Sequence, residues 1–229
     1  YSIGAEKKER GKFRYHLPQN ISSVQEIFLD EILDMKSMKM QETMLNEREK
    51  ECLYELVVGD HLMDLQFLMD IFRSTGKRRN ALDLFMSADF FDIIERVYKE
   101  KYSYLPFTDF FWTMRSMLLP LFYILQQTLP KADVYHSVAT GYCGVVGGIA
   151  ATTYHKPFII TEHGIYSRER EAEIIRCQWA KGDFKSVWIQ YFYNLAKLSY
   201  QKAKHVYTLF DKNAKTEREL GCAADKISI

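Results

Sequence analysis

The chain has 229 residues, of which 47% are hydrophobic and 27% charged, a composition that excludes a disordered or collagen-like chain and is typical of a globular domain. Its 31 basic and 30 acidic side chains leave a net charge of +1, which argues against a nucleic-acid partner. The four cysteines form no C-x-x-C pair, so neither a zinc site nor a disulfide framework is indicated, and a reducing, cytoplasmic compartment is predicted.

The amino-terminal segment contains no apolar signal core and does not begin with Met, so we expect a piece of a longer protein. A first strand is predicted within SSVQEIFLD, residues 22–30. The most membrane-like run, MLLPLFYIL at residues 117–125, is well short of the roughly 20 apolar residues that span a bilayer. It is predicted to be a buried helix.

Residues 37–129 are predicted to be mainly helical. Apolar residues recur among charges at helical spacing in the first half of this segment: Leu45, Cys52, Leu56, Leu62, Leu65 and Leu68. A turn is expected at Gly59 and Asp60, and a helix stop at residues 74–80. Two further helices are predicted at residues 81–102 and 107–130, the second bent or ended near Pro120. The aromatic stripes of this segment indicate core packing rather than a cofactor site.

From residue 131 onwards short apolar runs alternate with helical segments. Strands are predicted at residues 133–137, 158–161 and 205–209, each followed by a turn and a helix. This order predicts a parallel sheet with right-handed crossovers, in which the helical segment forms an insertion or one flank. The sequence therefore predicts a single α/β domain over residues 1–229.

Ligands of open parallel sheets bind outside the carboxyl ends of the strands, so the turns at that edge are the candidate site. After the strand predicted at residues 133–137, TGYCG carries Gly141 and Gly144 into a helix. Glycines allow a ligand to approach the backbone, and a helix N-terminus offers free N–H groups. The alternative is that these glycines serve tight packing of the helix on the sheet.

The second turn, TEHGIYSRER at residues 161–170, combines an acid, a histidine, a glycine and two arginines. The side chains of Glu162 and His163 diverge unless the backbone leaves β geometry, which Gly164 permits. Arg168 and Arg170 carry forked donors suited to carboxylate or phosphate. Alternatively, Glu162 caps a helix or forms an ion pair and the arginines form a solvated face. In the third turn, Asp211 is interpreted as the N-cap of the following helix.

Three runs, VYHSVATGYCG, KPFIITEHGIYSRERE and VYTLFDKNAKTERELGCAADKISI, resemble the amino-terminal half of PelF-type glycosyltransferases, which belong to glycosyltransferase family 4. The resemblance extends upstream through the G-K-F-x-Y-x-L-P-x-N segment, and T-E-H-G-I-Y is its most specific element. It implies a GT-B enzyme with two Rossmann-like domains that retains stereochemistry. Such an enzyme needs no metal or other cofactor and transfers a glucose-type hexose from a UDP-sugar to a growing extracellular polysaccharide.

On this resemblance the chain is the acceptor side of a split active site, and the chain alone is expected to be inactive. The family's first strand is expected to precede Tyr1, and the carboxyl-terminal nucleotide-binding domain to follow Ile229. Further implied partners are the polysaccharide acceptor and a membrane-associated synthase complex that recruits the cytoplasmic protein to the inner face of the membrane.

The resemblance also assigns residues. His163 matches the family's histidine near the donor sugar and the leaving phosphate, where it can support developing charge, and is the predicted catalytic residue. The predicted substrate-binding residues are those of the two matching motifs: Thr140, Gly141, Tyr142, Gly144, Glu162, Gly164, Tyr166 and Arg168.

Two alternatives belong to other functional classes. Cys143 follows a strand and precedes a helix like a nucleophile, with His163 and Glu162 as base and orienting acid. The spacing G-x-C-x-G is broken by Val145, which counts against a cysteine hydrolase. The other alternative is a noncatalytic binding or assembly module whose apolar helices, at residues 107–129, dock a partner or a membrane surface.

Overall fold

A computed structural model describes residues 2–4, 6–13, 16–34, 45–58, 67–69, 71, 81–180 and 182–229. Over these ranges the chain is an α/β structure in which helices flank a four-stranded parallel sheet, and a separate parallel pair of strands lies near the amino terminus. The strands are β1 Ser2–Gly4, β2 Glu26–Phe28, β3 Tyr135–Ser137, β4 Phe158–Glu162, β5 His205–Thr208 and β6 Ile227–Ser228. The predicted Rossmann-like α/β class is confirmed.

The α-helices of the described ranges fall into two groups. Those of the middle segment are α1 Glu47–Val58, α2 Ala81–Phe85, α3 Ala88–Val97 and α4 Phe107–Leu125. Those that alternate with the strands are α5 Tyr142–Tyr154, α6 Tyr166–Arg176, α7 Phe184–Lys202 and α8 Asp211–Glu219. Short 3-10 turns lie at Lys7–Glu9, Leu29–Asp34 and Ala224–Lys226, and a π-helical turn at Tyr98–Tyr102 follows α3.

The sheet has the strand order β3-β4-β5-β6, and every neighbouring pair is parallel. The carboxyl ends of the strands therefore meet at one edge, where Glu162 of β4 lies opposite Thr208 of β5. The three strands predicted after residue 130 are confirmed, and β6 was not predicted. The strand predicted within residues 22–30 is β2, which pairs with β1 rather than with the main sheet.

The helical character of the middle segment is confirmed where the structure describes it. The helix predicted at residues 81–102 is interrupted, because the Ser87 side chain accepts a hydrogen bond from the Phe90 N–H and starts a new helix, α3. Helix α4 does not end at Pro120 but continues to Leu125. The Gly59–Asp60 turn, Leu62, Leu65 and residues 74–80 lie outside the described residues.

The largest hydrophobic core joins the middle helices to the sheet-flanking helices α5 and α7. It includes the buried Phe110, Phe122, Ile149 and Leu195. The aromatic residues of the middle segment thus serve mainly as core, as their spacing predicted. A second, smaller cluster under the sheet centres on Phe158, Ile160 and Tyr200. Among the described helices, none combines the length and apolar character needed to cross a membrane.

Candidate functional site

The turn after β3 brings the start of α5 to the carboxyl edge of the sheet. Gly141, the residue before α5, has φ 71° and ψ −142°, a conformation that is strongly unfavourable for residues with a Cβ. A Cβ at this position would also lie 2.4 Å from Cε1 of Tyr166. Both the backbone and the close contact with α6 therefore require glycine here.

Glu162, the last residue of β4, is completely buried at this edge. Its carboxylate accepts hydrogen bonds from the Thr140 hydroxyl, at 2.9 Å, and from the Tyr200 hydroxyl. Burial raises the pKa of Glu162, and these bonds together with backbone hydrogen bonds from Thr140 and Tyr166 oppose that rise. Thr140 is also buried. Glu162 thus braces the turn after β3, the start of α6 and helix α7 against one another.

His163 follows Glu162 directly, in the bend after β4, and its side chain is exposed. Among the described residues, none forms a hydrogen bond with its imidazole. Gly164 does not have a positive φ. A Cβ on Gly164 would instead lie 2.6 Å from the flexible Glu169 carboxylate. The structure therefore presents a free histidine on an anchored strand end.

The two tyrosines of the predicted set pack between helices. The Tyr142 hydroxyl accepts a hydrogen bond from the Tyr191 hydroxyl at 3.3 Å, and burial raises the pKa of Tyr142 to about 12. The Tyr166 ring lies against Gly141 and meets Phe192 edge to face, with ring centroids 6.2 Å apart. Both rings hold α5, α6 and α7 together.

Gly144 serves the same packing. A Cβ on this residue would lie 2.2 Å from the Ser199 hydroxyl, so its lack of a side chain allows α5 to approach α7. This agrees with the alternative interpretation of the glycines as packing residues.

Of the two arginines of the motif, Arg168 is exposed on α6, whereas Arg170 is half-buried, with its guanidinium 5.3 Å from the centroid of the Tyr166 ring. Arg168 pairs with Glu171 at 3.0 Å and covers the Tyr193 ring with its guanidinium 5.6 Å from the ring centroid. Arg170 pairs with Glu173. The solvated-face interpretation therefore fits Arg168 but not Arg170, and substrate binding by Arg168 stays a prediction.

Comparison with protein families gives a match over residues 1–225 to a family described as a domain of unknown function, DUF3492. The chain belongs to the DUF3492 family. No curated protein and no solved structure matches the chain.

Cys143 of the DUF3492 domain is exposed in the first turn of α5. The surrounding protein raises the pKa of its thiol by desolvation, whereas a cysteine nucleophile needs a lowered pKa. Its thiol forms no hydrogen bond with His163 or with any other described residue. The arrangement does not favour a cysteine hydrolase.

Exposed apolar side chains flank His163 along the edge, a feature that the sequence analysis missed. Val138 follows β3 and is 62% exposed, while Leu209 and Phe210 follow β5 and are 47% and 59% exposed. Parallel strands are spaced about 4.8 Å apart, so these residues border the histidine on both sides. The signal in the sequence was an apolar residue directly after a strand, where polar turn residues are expected. We call Val138, Leu209 and Phe210 the apolar rim.

The third turn differs from its prediction. Helix α8 begins at Asp211, so Asp211 is its first residue rather than its N-cap, and the N-cap residue Phe210 makes no side-chain capping bond. An acid in the first turn still stabilises a helix through its dipole.

A second buried acid, Glu217 of α8, was not anticipated. It is completely buried, and no described residue forms a hydrogen bond of good geometry with either carboxylate oxygen. Burial raises its pKa; the nearby Thr208 hydroxyl opposes that rise, and the Glu162 carboxylate adds to it. The described residues contain no cluster of three or more His, Cys, Asp or Glu side chains that could hold a metal ion.

Proposed function

We propose that this DUF3492 domain is the acceptor-side half of a retaining GT-B glycosyltransferase that transfers a hexose from a UDP-sugar to a growing extracellular polysaccharide. The observation that carries the proposal is the position of His163, exposed at the carboxyl edge of the parallel sheet directly after the buried Glu162. The resemblance of T-E-H-G-I-Y and the preceding glycine turn to PelF-type enzymes supports the assignment.

The surroundings of His163 suit a preorganised donor. The Glu162 carboxylate accepts hydrogen bonds from Thr140 and Tyr200, so the strand end that carries His163 is held by two partners. When the bond between the sugar and the UDP phosphate breaks, negative charge develops on the leaving phosphate. An imidazole on this fixed backbone can reach the phosphate by a side-chain rotation alone and stabilise that charge.

In this proposal the rest of the active site belongs to a carboxyl-terminal GT-B domain of the parent protein. That domain binds the nucleotide. The apolar rim is a surface that such a domain or the acceptor can cover. The domain alone is then expected to transfer no sugar and to bind UDP weakly. The proposed parent works in the cytoplasm without a metal or other cofactor, recruited to the inner face of the membrane by a synthase complex.

The test is His163→Ala in the full-length parent, assayed with UDP-glucose. Loss of a preorganised donor should lower kcat by on the order of a hundredfold with little change in KM for UDP-glucose. The matched control is His155→Asn, since His155 is an exposed histidine at the far end of α5 with φ 53°, a conformation that Asn tolerates. This control should remain fully active.

Thermal melts confirm that both variants are folded. A fully active His163→Ala enzyme would contradict the proposal. A folded but inactive Cys143→Ala enzyme would transfer the active site to the cysteine.

A further inference from the structure

A groove of about 400 Å³ lies between α4 and the start of α7, on the opposite end of α6 from His163. Its volume is within the range of about 300–1,000 Å³ that is usual for small-molecule sites. All three tryptophans of the chain, Trp112, Trp179 and Trp188, line it. His163 precedes the start of α6 and Trp179 follows its end, so these two residues are separated along the helix by its 11 residues, a length of about 16 Å.

The α4 wall combines an indole with polar groups. Residues 109, 112, 113 and 116 follow the i, i+3, i+4, i+7 spacing of one helix face. Asp109 supplies a carboxylate, and Thr113 and Ser116 supply hydroxyls. The guanidinium of Arg115 lies 5.3 Å from the centroid of the Trp112 ring and limits the ring's freedom to reorient.

The opposite wall of the groove is formed by two perpendicular indole rings, those of Trp179 and Trp188, which we call the aromatic corner. The Trp179 ring stands perpendicular to the Trp188 ring, at 87° with ring centroids 5.1 Å apart. Trp188 in turn stacks on Phe192 at 6.3 Å, a residue that packs against Tyr142 and Tyr166 near the His163 turn. The corner is therefore held in position by the core.

Two of the three indole rings that line the groove are exposed to solvent. Trp112 is 54% and Trp179 63% exposed, although a large apolar ring is rarely left uncovered unless a ligand or a partner covers it. Among the described lining residues, Asp109 is the one that carries a charge. A carboxylate in the lining repels anionic ligands such as nucleotide phosphates and anionic lipid headgroups.

We infer that the tryptophan groove binds a stretch of the polysaccharide chain, at a second saccharide site remote from the transfer site; this inference rests on the proposed function for the identity of the ligand. A pyranose ring has an apolar C–H face that stacks on an indole and a belt of hydroxyls that a carboxylate and hydroxyls can bind. Indoles at a perpendicular corner, with Asp109 and two hydroxyls across the groove, match both parts of such a ring. The groove holds a part of the growing chain away from the end that is extended.

Because every tryptophan of the chain lines the groove, intrinsic fluorescence reports directly on its occupancy. The 229-residue chain is titrated with cellohexaose and with maltohexaose, the β-linked and α-linked glucose hexamers. At least one should cause a saturable change in tryptophan fluorescence, with calorimetry giving the same Kd. No binding of either hexamer at millimolar concentration would overturn the inference.

Variants locate the binding. Trp179→Ala and Trp112→Ala should each weaken binding at least about tenfold, as loss of an aromatic anchor typically does, whereas Trp179→Phe should retain most of the affinity. The matched control is Tyr104→Ala, which removes an aromatic ring that is 64% exposed and outside the groove. Equal weakening by the control, or unchanged affinity of Trp179→Ala, would refute the site.

Further measurements distinguish a saccharide site from a membrane contact, and failure of the groove inference from failure of the proposed function. Binding to phosphatidylglycerol vesicles in place of the hexamers would make the groove a membrane contact and overturn the inference. His163→Ala should bind the hexamer with unchanged affinity. If the parent fails to transfer sugar while the hexamer still binds, the proposed function fails and the groove stands. If the parent transfers sugar and Trp179→Ala leaves KM for the acceptor unchanged, the groove fails and the proposed function stands.

Discussion

Replacing Gly141 by Ala should strongly destabilise the domain, because the added Cβ causes both backbone strain and a steric clash. Holding Ala at φ 71° and ψ −142° costs about 1–3 kcal/mol of backbone strain. The new Cβ would also lie 2.4 Å from the Tyr166 ring, and overpacking of this kind costs about 1–3 kcal/mol. The expected loss is roughly 2–6 kcal/mol, a large part of the roughly 5–15 kcal/mol that stabilises a typical domain.

Urea denaturation followed by circular dichroism measures this loss, and Gly182 offers a matched control. Gly182 has φ 52°, and no atom of the other described residues lies within 4 Å of a Cβ added there. Gly182→Ala therefore carries strain without a clash and should cost only about 1–2 kcal/mol. The difference between the two variants isolates the contact of Gly141 with Tyr166.

A Tyr166→Ala background tests the same contact from the other side. If the clash is real, Gly141→Ala should cost less in this background than in the wild type, by the overpacking part of the loss. Equal losses in the two backgrounds, together with equal losses for Gly141→Ala and Gly182→Ala, would refute the close packing of α6 on the turn after β3.

Three further outcomes follow from buried and capping groups. Burial raises the pKa of Glu217 above 4.5, so its contribution to stability is complete below that value and is lost as the pH rises towards the folded pKa. Glu217→Gln should therefore flatten the fall in stability above about pH 4.5, and an unchanged pH profile in urea melts would contradict the burial of this acid. The thiol pKa of Cys143 is raised above its ordinary 9.0, so iodoacetamide should modify it more slowly at pH 7.5 than it modifies free cysteine; faster modification, measured by mass spectrometry, would indicate an activated nucleophile. Ser87→Ala removes the cap of α3 and should cost about 1 kcal/mol, while Ser87→Thr should retain most of the stability in the same melts.

Much of the fold could be predicted from the sequence because strands and helices leave local patterns. The apolar run at residues 158–161 and the alternation at residues 205–209 are contained within each strand, and both strands are present. The order of these elements along the chain was sufficient to predict a parallel sheet. The candidate turns could likewise be placed at the carboxyl edge, since that position depends only on where each strand ends.

A very short strand and a helix boundary set by a capping residue were not predicted. Strand β6 has two residues, too few for a periodic signal, and it exists because it pairs with β5. Ser87 divides a predicted helix in two by accepting one hydrogen bond from the Phe90 N–H. The spacing of hydrophobic residues carries no information about such a bond.

Only the tertiary structure decided which site residues are buried braces and which face solvent. Glu162 and His163 are neighbours in the sequence, yet Glu162 is buried because Tyr200, 38 residues away, and Thr140 supply its hydrogen bonds. The three tryptophans are likewise separated in the chain and converge only because α4 packs beside the start of α7. Local pattern specifies each segment's periodicity, whereas burial, pKa and the composition of a groove depend on which distant segments meet, and that is fixed only when the whole chain packs.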